Sequence, residues 1–107
     1  MERGEVRWCL FAPPDKERPG LILTRTSSIH YLNSVTIAPI STSIRPVPSQ
    51  VILSVDDGLL TDCSVNLYNI QTLPRKNIGR YITTLSPARM REVEAAIRFA
   101  LGLDGEP

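Results

Sequence analysis

Helical periodicity occurs once in this chain, after Ser86. Before that point prolines and glycines cut the sequence into short runs. Nine prolines and six glycines among 107 residues favour brief elements joined by turns. The runs themselves look like strands. In residues 5–10, Val6, Trp8 and Leu10 fall on one face and Glu5, Arg7 and Cys9 on the other, the pattern of a half-buried strand with Trp8 in the core. Further strands are expected at residues 20–25, 34–40, 50–55, 64–70 and 78–83. Breaks are expected at 12–17, 26–28, 45–49, at Asp56-Asp57-Gly58 and at 73–76. The last element is a helix. Ser86 is a good N-cap, Pro87 suits the first turn, and Met90, Val93, Ile97 and Ala100/Leu101 form one apolar stripe that Gly102 stops. Residues 104–107 are expected to fray. Many short strands before one terminal helix predict a single domain over residues 1–107. It would be mostly β (α+β), a small barrel or an α+β domain.

Apolar residues make up 42% and charged residues 21%, enough for a core and too apolar for a disordered chain. The net charge is +1, so any nucleic-acid contact needs a local basic surface. Of the basic residues only Lys16 and Lys76 are lysines; the arginine bias suits phosphate but also a GC-rich coding background. Cys9 and Cys63 are expected as two half-buried free thiols, although a disulfide between them stays open. One histidine and no Cys-x-x-Cys argue against a zinc site. No signal peptide and no membrane-length apolar run is read, so a cytoplasmic protein without membrane association is expected.

Two short segments carry the chemistry. Arg18 precedes Pro19 at the head of an apolar run, and Ser41, Thr42 and Ser43 follow the strand 34–40. A guanidinium beside hydroxyls suits a phosphodiester, because both donate to phosphate oxygens. Each residue also has a plainer reading: Arg18 as a surface ion pair with Glu17, the hydroxyls as turn formers, and Arg89, Arg91 and Arg98 as a solvated helix face. His30 reads as a surface-loop histidine. Tyr31, Tyr68 and Trp8 are aromatic rings that bases can stack on.

The order of motifs resembles the MazF/PemK-type toxins, endoribonucleases of bacterial toxin–antitoxin pairs. The resemblance rests on Arg3-Gly4-Glu5-Val6-Arg7-Trp8, on Arg18-Pro19-Gly20-Leu21-Ile22-Leu23, on Ile37-Ala38-Pro39-Ile40-Ser41-Thr42-Ser43, and on Asp62-Cys63-Ser64-Val65 with Asn69-Ile70-Gln71-Thr72-Leu73. Ile78-Gly79, Leu85-Ser86-Pro87 and the ending Ala100-Leu101-Gly102-Leu103 complete it. It implies a small SH3-like barrel with a C-terminal helix, of the CcdB/MazF kind. It further implies metal- and cofactor-independent, sequence-specific cleavage of single-stranded RNA, leaving a 2′,3′-cyclic phosphate and a 5′-hydroxyl. A homodimer and an antitoxin with a disordered acidic tail are implied as well. By the same resemblance Arg18 is the catalytic cation. Ser41 takes the position of the family's catalytic threonine, with Thr42 second because strand alternation points it to the other face. Glu17, Thr42, Ser43, Asn69 and Gln71 fall on RNA-binding positions. Tyr68 departs from the pattern, standing where the family more often has an acid, and the 11–17 loop is shorter than usual. Two alternatives stay open: a CcdB-like non-enzymatic inhibitor of a gyrase-type target, dependent on residues 102–107, and an inactive antitoxin-binding module.

Overall fold

A computed structural model of the chain describes residues 1–12 and 16–105. Seven strands form: β1 (Glu5–Cys9), β2 (Arg18–Ile22), β3 (Ser34–Ser41), β4 (Gln50–Leu53), β5 (Cys63–Asn66), β6 (Gln71–Pro74) and β7 (Ile78–Thr84). Two helices join them, a single turn α1 (Thr26–Ile29) and the terminal α2 (Pro87–Ala100). The mostly β architecture with a C-terminal helix is as the sequence predicts. The centre of the expected 12–17 loop, residues 13–15, lies outside the described residues, as do the last two residues of the expected frayed end.

Every strand pairing is antiparallel, and the order is β4-β5-β3-β2-β1-β7 with β6 also on β3. Eight-residue β3 organises the sheet. Residues 34–37 pair with β6, residues 37–39 with β2, and the last two, Ile40 and Ser41, with Val65 and Ser64 of β5. The sheet curls but its ladder does not close, since no backbone pairing joins β4 to β7 among the described residues. A 3-10 turn at Val55–Asp57 reaches across the gap instead. The Thr83 hydroxyl of β7 donates to the Asp57 carbonyl at 3.0 Å.

Apolar side chains collect on both faces of the sheet. One core holds Val6, Leu21, Ala38, Ile40, Val65 and the buried stripe Met90, Val93 and Ala96 of α2. The other holds Cys9, Ile22, Ile29, Val35, Ile37 and Leu73. This second core corrects the reading of β1. Cys9, assigned to an open face, is fully buried, while Trp8, assigned to the core, is only half-buried. The cause is that α1 and β6 cover the far side of β2 and β3, and that the β1–β7 register shifts on either side of Arg7. Of the expected pair Ala100/Leu101, Ala100 packs against the core and Leu101 is exposed, and buried Ala96 joins the stripe. α2 starts as predicted: the Ser86 hydroxyl accepts from the Arg89 amide at 3.1 Å, with Pro87 in the first turn.

Candidate active site

The unclosed seam leaves a cavity of about 480 Å3. Five strands contribute to it. Trp8 comes from β1, Glu17 and Arg18 from the start of β2, and Ile40, Ser41 and Thr42 from the end of β3. Cys63 of β5, the Leu59–Thr61 segment before it, and Tyr81 and Ile82 of β7 form the far wall. The strand register explains why Arg18 and Ser41 meet here. Gly20 pairs with Pro39, Leu21 with Ala38 and Ile22 with Ile37. Continued by two residues, that antiparallel register sets Arg18 opposite Ser41 just beyond the last ladder pair.

Arg18 is exposed, and among the described residues its guanidinium makes no hydrogen bond and no ion pair. The alternative of a surface salt bridge with Glu17 is therefore not formed. Glu17 turns instead toward β7: its Oε2 lies 3.8 Å from where a Cβ on Gly79 would stand. Pro19 confines Arg18 to extended backbone, and Gly20 lies so close to β1 that an added Cβ would stand 2.9 Å from the Cys9 sulfur. The strand is thus fixed immediately behind a cation whose donors meet no partner among the described residues.

The hydroxyl side is held by a small polar network. Ser41 Oγ accepts from the Ser43 amide at 3.3 Å, which leaves its own proton free to donate outward. Gln50 Oε1 accepts from the Arg45 amide at 3.0 Å and lies 3.0 Å from the hydroxyl of buried Ser64. That hydroxyl lies 3.1 Å from the Ser43 carbonyl as well, so its single proton serves one of the two acceptors at a time. These bonds fix the 42–49 loop, and with it Ser41, against β4 and β5. Strand alternation in the sequence ranks Thr42 below Ser41. In the structure both line the cavity, because β3 ends at Ser41 and alternation no longer governs the next residue.

The remaining candidates separate. Ser43 lines a second cavity, of about 570 Å3, together with Ser41, Arg45, Gln50, Asn66, Tyr68 and Phe99. Tyr68 there meets Phe99 edge-on, with ring centroids 6.4 Å apart. Asn69 and Gln71 line neither cavity; both are exposed, Asn69 in a 3-10 turn and Gln71 paired with Ile37 at the start of β6. His30 caps α1 at the surface and Tyr31 follows it, away from both cavities. Arg89 is no solvated helix residue: it bonds Asp57 and Glu92.

The sequence reading missed Tyr81, Leu60 and Thr61. Tyr81 sits in a strand whose alternation gives no reason to single it out, and Leu60 and Thr61 reach the site only through the turn that carries them across the seam. Cys63 also lines the cavity as a buried thiol. Burial pushes its pKa up, with the carboxylates of Asp57 and Asp62 adding to the effect. Both cysteines are free and buried, more so than expected.

A family model described as the PemK-like, MazF-like toxin of type II toxin–antitoxin systems matches residues 2–101. The "Probable endoribonuclease MazF2" of Mycobacterium tuberculosis is 37% identical over 103 residues, covering 95% of this chain and 99% of that protein. The "Endoribonuclease MazF3" of the same species is 38% identical over 90 residues, covering 84% and 87%. Among solved structures, an endoribonuclease in complex with its cognate antitoxin, from a mycobacterial species, aligns with a TM-score of 0.85 at 29% identity over 96% of each chain. The Mycobacterium tuberculosis toxin MazF-mt6 aligns equally well, with a TM-score of 0.85 at 33% identity over 92% of this chain and 96% of its own.

Proposed function

This chain belongs to the PemK-like, MazF-like toxins of type II toxin–antitoxin systems, and from that membership and the geometry of its cavity we propose that it is an endoribonuclease cleaving single-stranded RNA without a metal. The supporting observation is that Arg18, Ser41 and Glu17 line one cavity while the Arg18 guanidinium has no partner among the described residues. In the reaction the ribose 2′-hydroxyl attacks the adjacent phosphorus, the P–O5′ bond breaks, and a 2′,3′-cyclic phosphate and a 5′-hydroxyl result. Negative charge grows on the equatorial oxygens of the phosphorane. Arg18 is suited to bind those oxygens through its fork of donors, and Ser41 adds a hydroxyl donor. Thr42 stands beside Ser41 as a second hydroxyl. Glu17 is the carboxylate in the cavity and takes the 2′-hydroxyl proton, a task closed to a permanently charged guanidinium, and the departing 5′-oxygen takes up a proton from solvent.

The test is cleavage of a long single-stranded RNA in EDTA, with the ends mapped. The expected result is 2′,3′-cyclic phosphate and 5′-hydroxyl ends, with Arg18→Ala slowed by on the order of a hundred-fold or more. Inactive wild type, or an Arg18→Ala protein as fast as wild type, overturns the reading. Glu17→Gln is expected to lose roughly a hundred-fold or more as well if the carboxylate carries the proton.

Membership in a toxin–antitoxin family implies a cognate antitoxin, and a relative of this fold has been solved with one bound. We assign that partner an acidic, disordered tail, matched to the Arg18 cation, and assign the toxin itself a homodimeric state and a cytoplasmic location. No described helix is long and apolar enough to cross a membrane. The gyrase-inhibitor alternative is not favoured, since the matched relatives are named endoribonucleases.

A further inference from the structure

We propose that Tyr81 is a nucleobase platform, which stacks the base of a nucleotide flanking the scissile phosphate and so contributes to the choice of cleavage site. The inference rests on the RNA-cleaving reading of the cavity and extends it to a residue outside the shared motifs. Tyr81 is 52% exposed although it lines the same cavity as Arg18, Ser41 and Trp8. An exposed tyrosine is ordinarily free to swing, but this one is held at both ends. Its hydroxyl lies 2.7 Å from the Thr84 hydroxyl. Its ring lies under the Arg7 guanidinium, 5.8 Å from carbon to ring centroid, and Arg7 is its partner across the β1–β7 ladder.

Arg7 is itself immobilised. Its Nε donates to Glu5 at 2.8 Å and its Nη1 to the Gly79 carbonyl at 3.0 Å. Glu5 is held in its ionised form. Its partial burial works against this, but the hydrogen bond from Arg7, a backbone contact at Glu2 and the Arg7 charge outweigh it. A chain of contacts therefore runs from Glu5 through Arg7 to the ring. Arg7 occupies one side of the ring, and the ring still borders the cavity. A platform whose rotamer is already fixed loses little entropy when a ligand covers it. The ligand chemistry follows from the neighbours. Arg18, without a partner among the described residues, calls for a phosphate, and an aromatic residue lining the same cavity calls for a flat apolar ring. An unpaired nucleotide of a single strand offers both at adjacent positions.

The experiment uses the full chain with a short single-stranded RNA carrying one mapped cleavage site. In a companion set a reduced abasic residue replaces the nucleotide on either side of the scissile bond. Tyr81→Ala is expected to lower kcat/KM by about ten- to a hundred-fold, Tyr81→Phe to restore most of it, and Tyr81→Leu to restore little. At one flanking position the abasic change is expected to cost wild type a similar factor and to cost Tyr81→Ala almost nothing. Equal kcat/KM for Tyr81→Ala and wild type, or an abasic penalty unaltered by the substitution, overturns the proposal. Binding of the same oligonucleotide with a 2′-deoxy residue at the scissile site keeps the two readings apart. Wild type that binds but never cleaves the all-ribose RNA overturns the catalytic reading alone, and a Tyr81→Ala protein that then binds as tightly as wild type overturns the platform. No RNA binding by wild type overturns both.

Discussion

Arg18 and Cys63 share a cavity and differ completely in what they offer a substrate. The arginine is charged and has no partner among the described residues; the thiol is buried and kept protonated. Cys9 is more extreme. Burial pushes its pKa up to about 11, with the Arg7 charge opposing and the Glu17 charge adding to the shift. At pH 8 that leaves roughly one part in a thousand as thiolate, the nucleophilic form. Both thiols are therefore expected to resist a water-soluble disulfide reagent in the native protein and to react at the rate of unfolding. Two thiols released in denaturant and none in native buffer is the result that fits; rapid native labelling of Cys63 contradicts it. The same scale decides what was legible in the sequence. Arg18 stands out in the sequence because Pro19 gives it a recognisable local setting, and Ser41 is singled out of its hydroxyl cluster through the family resemblance. Glu17 is read as the arginine's neighbour and as an RNA-binding position. Tyr81 was not found, because its significance comes from Arg7 across a strand pair, and no local pattern announces a cross-strand partner.

At the level of elements, the seam between β4 and β7 is held by one short turn. Ser54 caps it with a capping box: its hydroxyl accepts from the Asp56 amide and its own amide donates to the Asp57 carboxylate at 3.0 Å. Asp57 also takes two bonds from Arg89 of α2, at 3.0 and 3.2 Å. Burial alone would raise the Asp57 pKa, but the Arg89 hydrogen bonds, the Ser54 amide and the Arg89 charge hold it below the ordinary carboxylate value. A carboxylate with a lowered folded pKa contributes stability that is present above its unfolded pKa, about 3.9, and lost as pH falls through the folded value. Asp57→Asn is therefore expected to cost about 1–2 kcal/mol between pH 5 and 8. The gap to wild type should narrow below about pH 4; urea titrations at pH 7 and pH 3 read it, and a gap of equal size at both contradicts the assignment. Gly58, with φ +94°, completes the turn, and a Cβ there would strike the Thr83 side chain. Gly58→Ala is expected to cost about 1–3 kcal/mol and to lower the melting temperature, since both the backbone and the space oppose it. The sequence showed this turn through Asp56-Asp57-Gly58 but not its link to α2, because Arg89 reads as one more helix-surface arginine. β6 went unread for a related reason. Pro74 looked like a break, yet at the end of a strand that pairs only with β3 it removes no needed donor.

For the whole molecule, the central question is whether two cores make one cooperative unit. Leu21 and Ile22 are successive residues of β2, both fully buried, and they enter opposite cores. The same division occurs in β3, where Ile37 joins the α1 side and Ala38 the α2 side. Neither core can lose its packing while these two strands stay flat, because the strand backbone is common to both. Alternation in the sequence suggested one buried face per strand; burial of both faces became visible only once α1, too short to leave a helical period, was seen to cover the far side with Ile29. Leu21→Ala and Ile22→Ala are thus each expected to cost about 2–5 kcal/mol and to shift one and the same transition. Trp8, the sole tryptophan, reports from the cavity on the α2 side, whereas far-UV circular dichroism reports from the whole sheet. Coincident urea curves from the two probes are expected for wild type and for both variants. If Ile22→Ala instead let α1 and β6 melt early while the Trp8 signal held, the cores would be separable units, and the strand carrying Arg18 would be anchored by the α2 side alone.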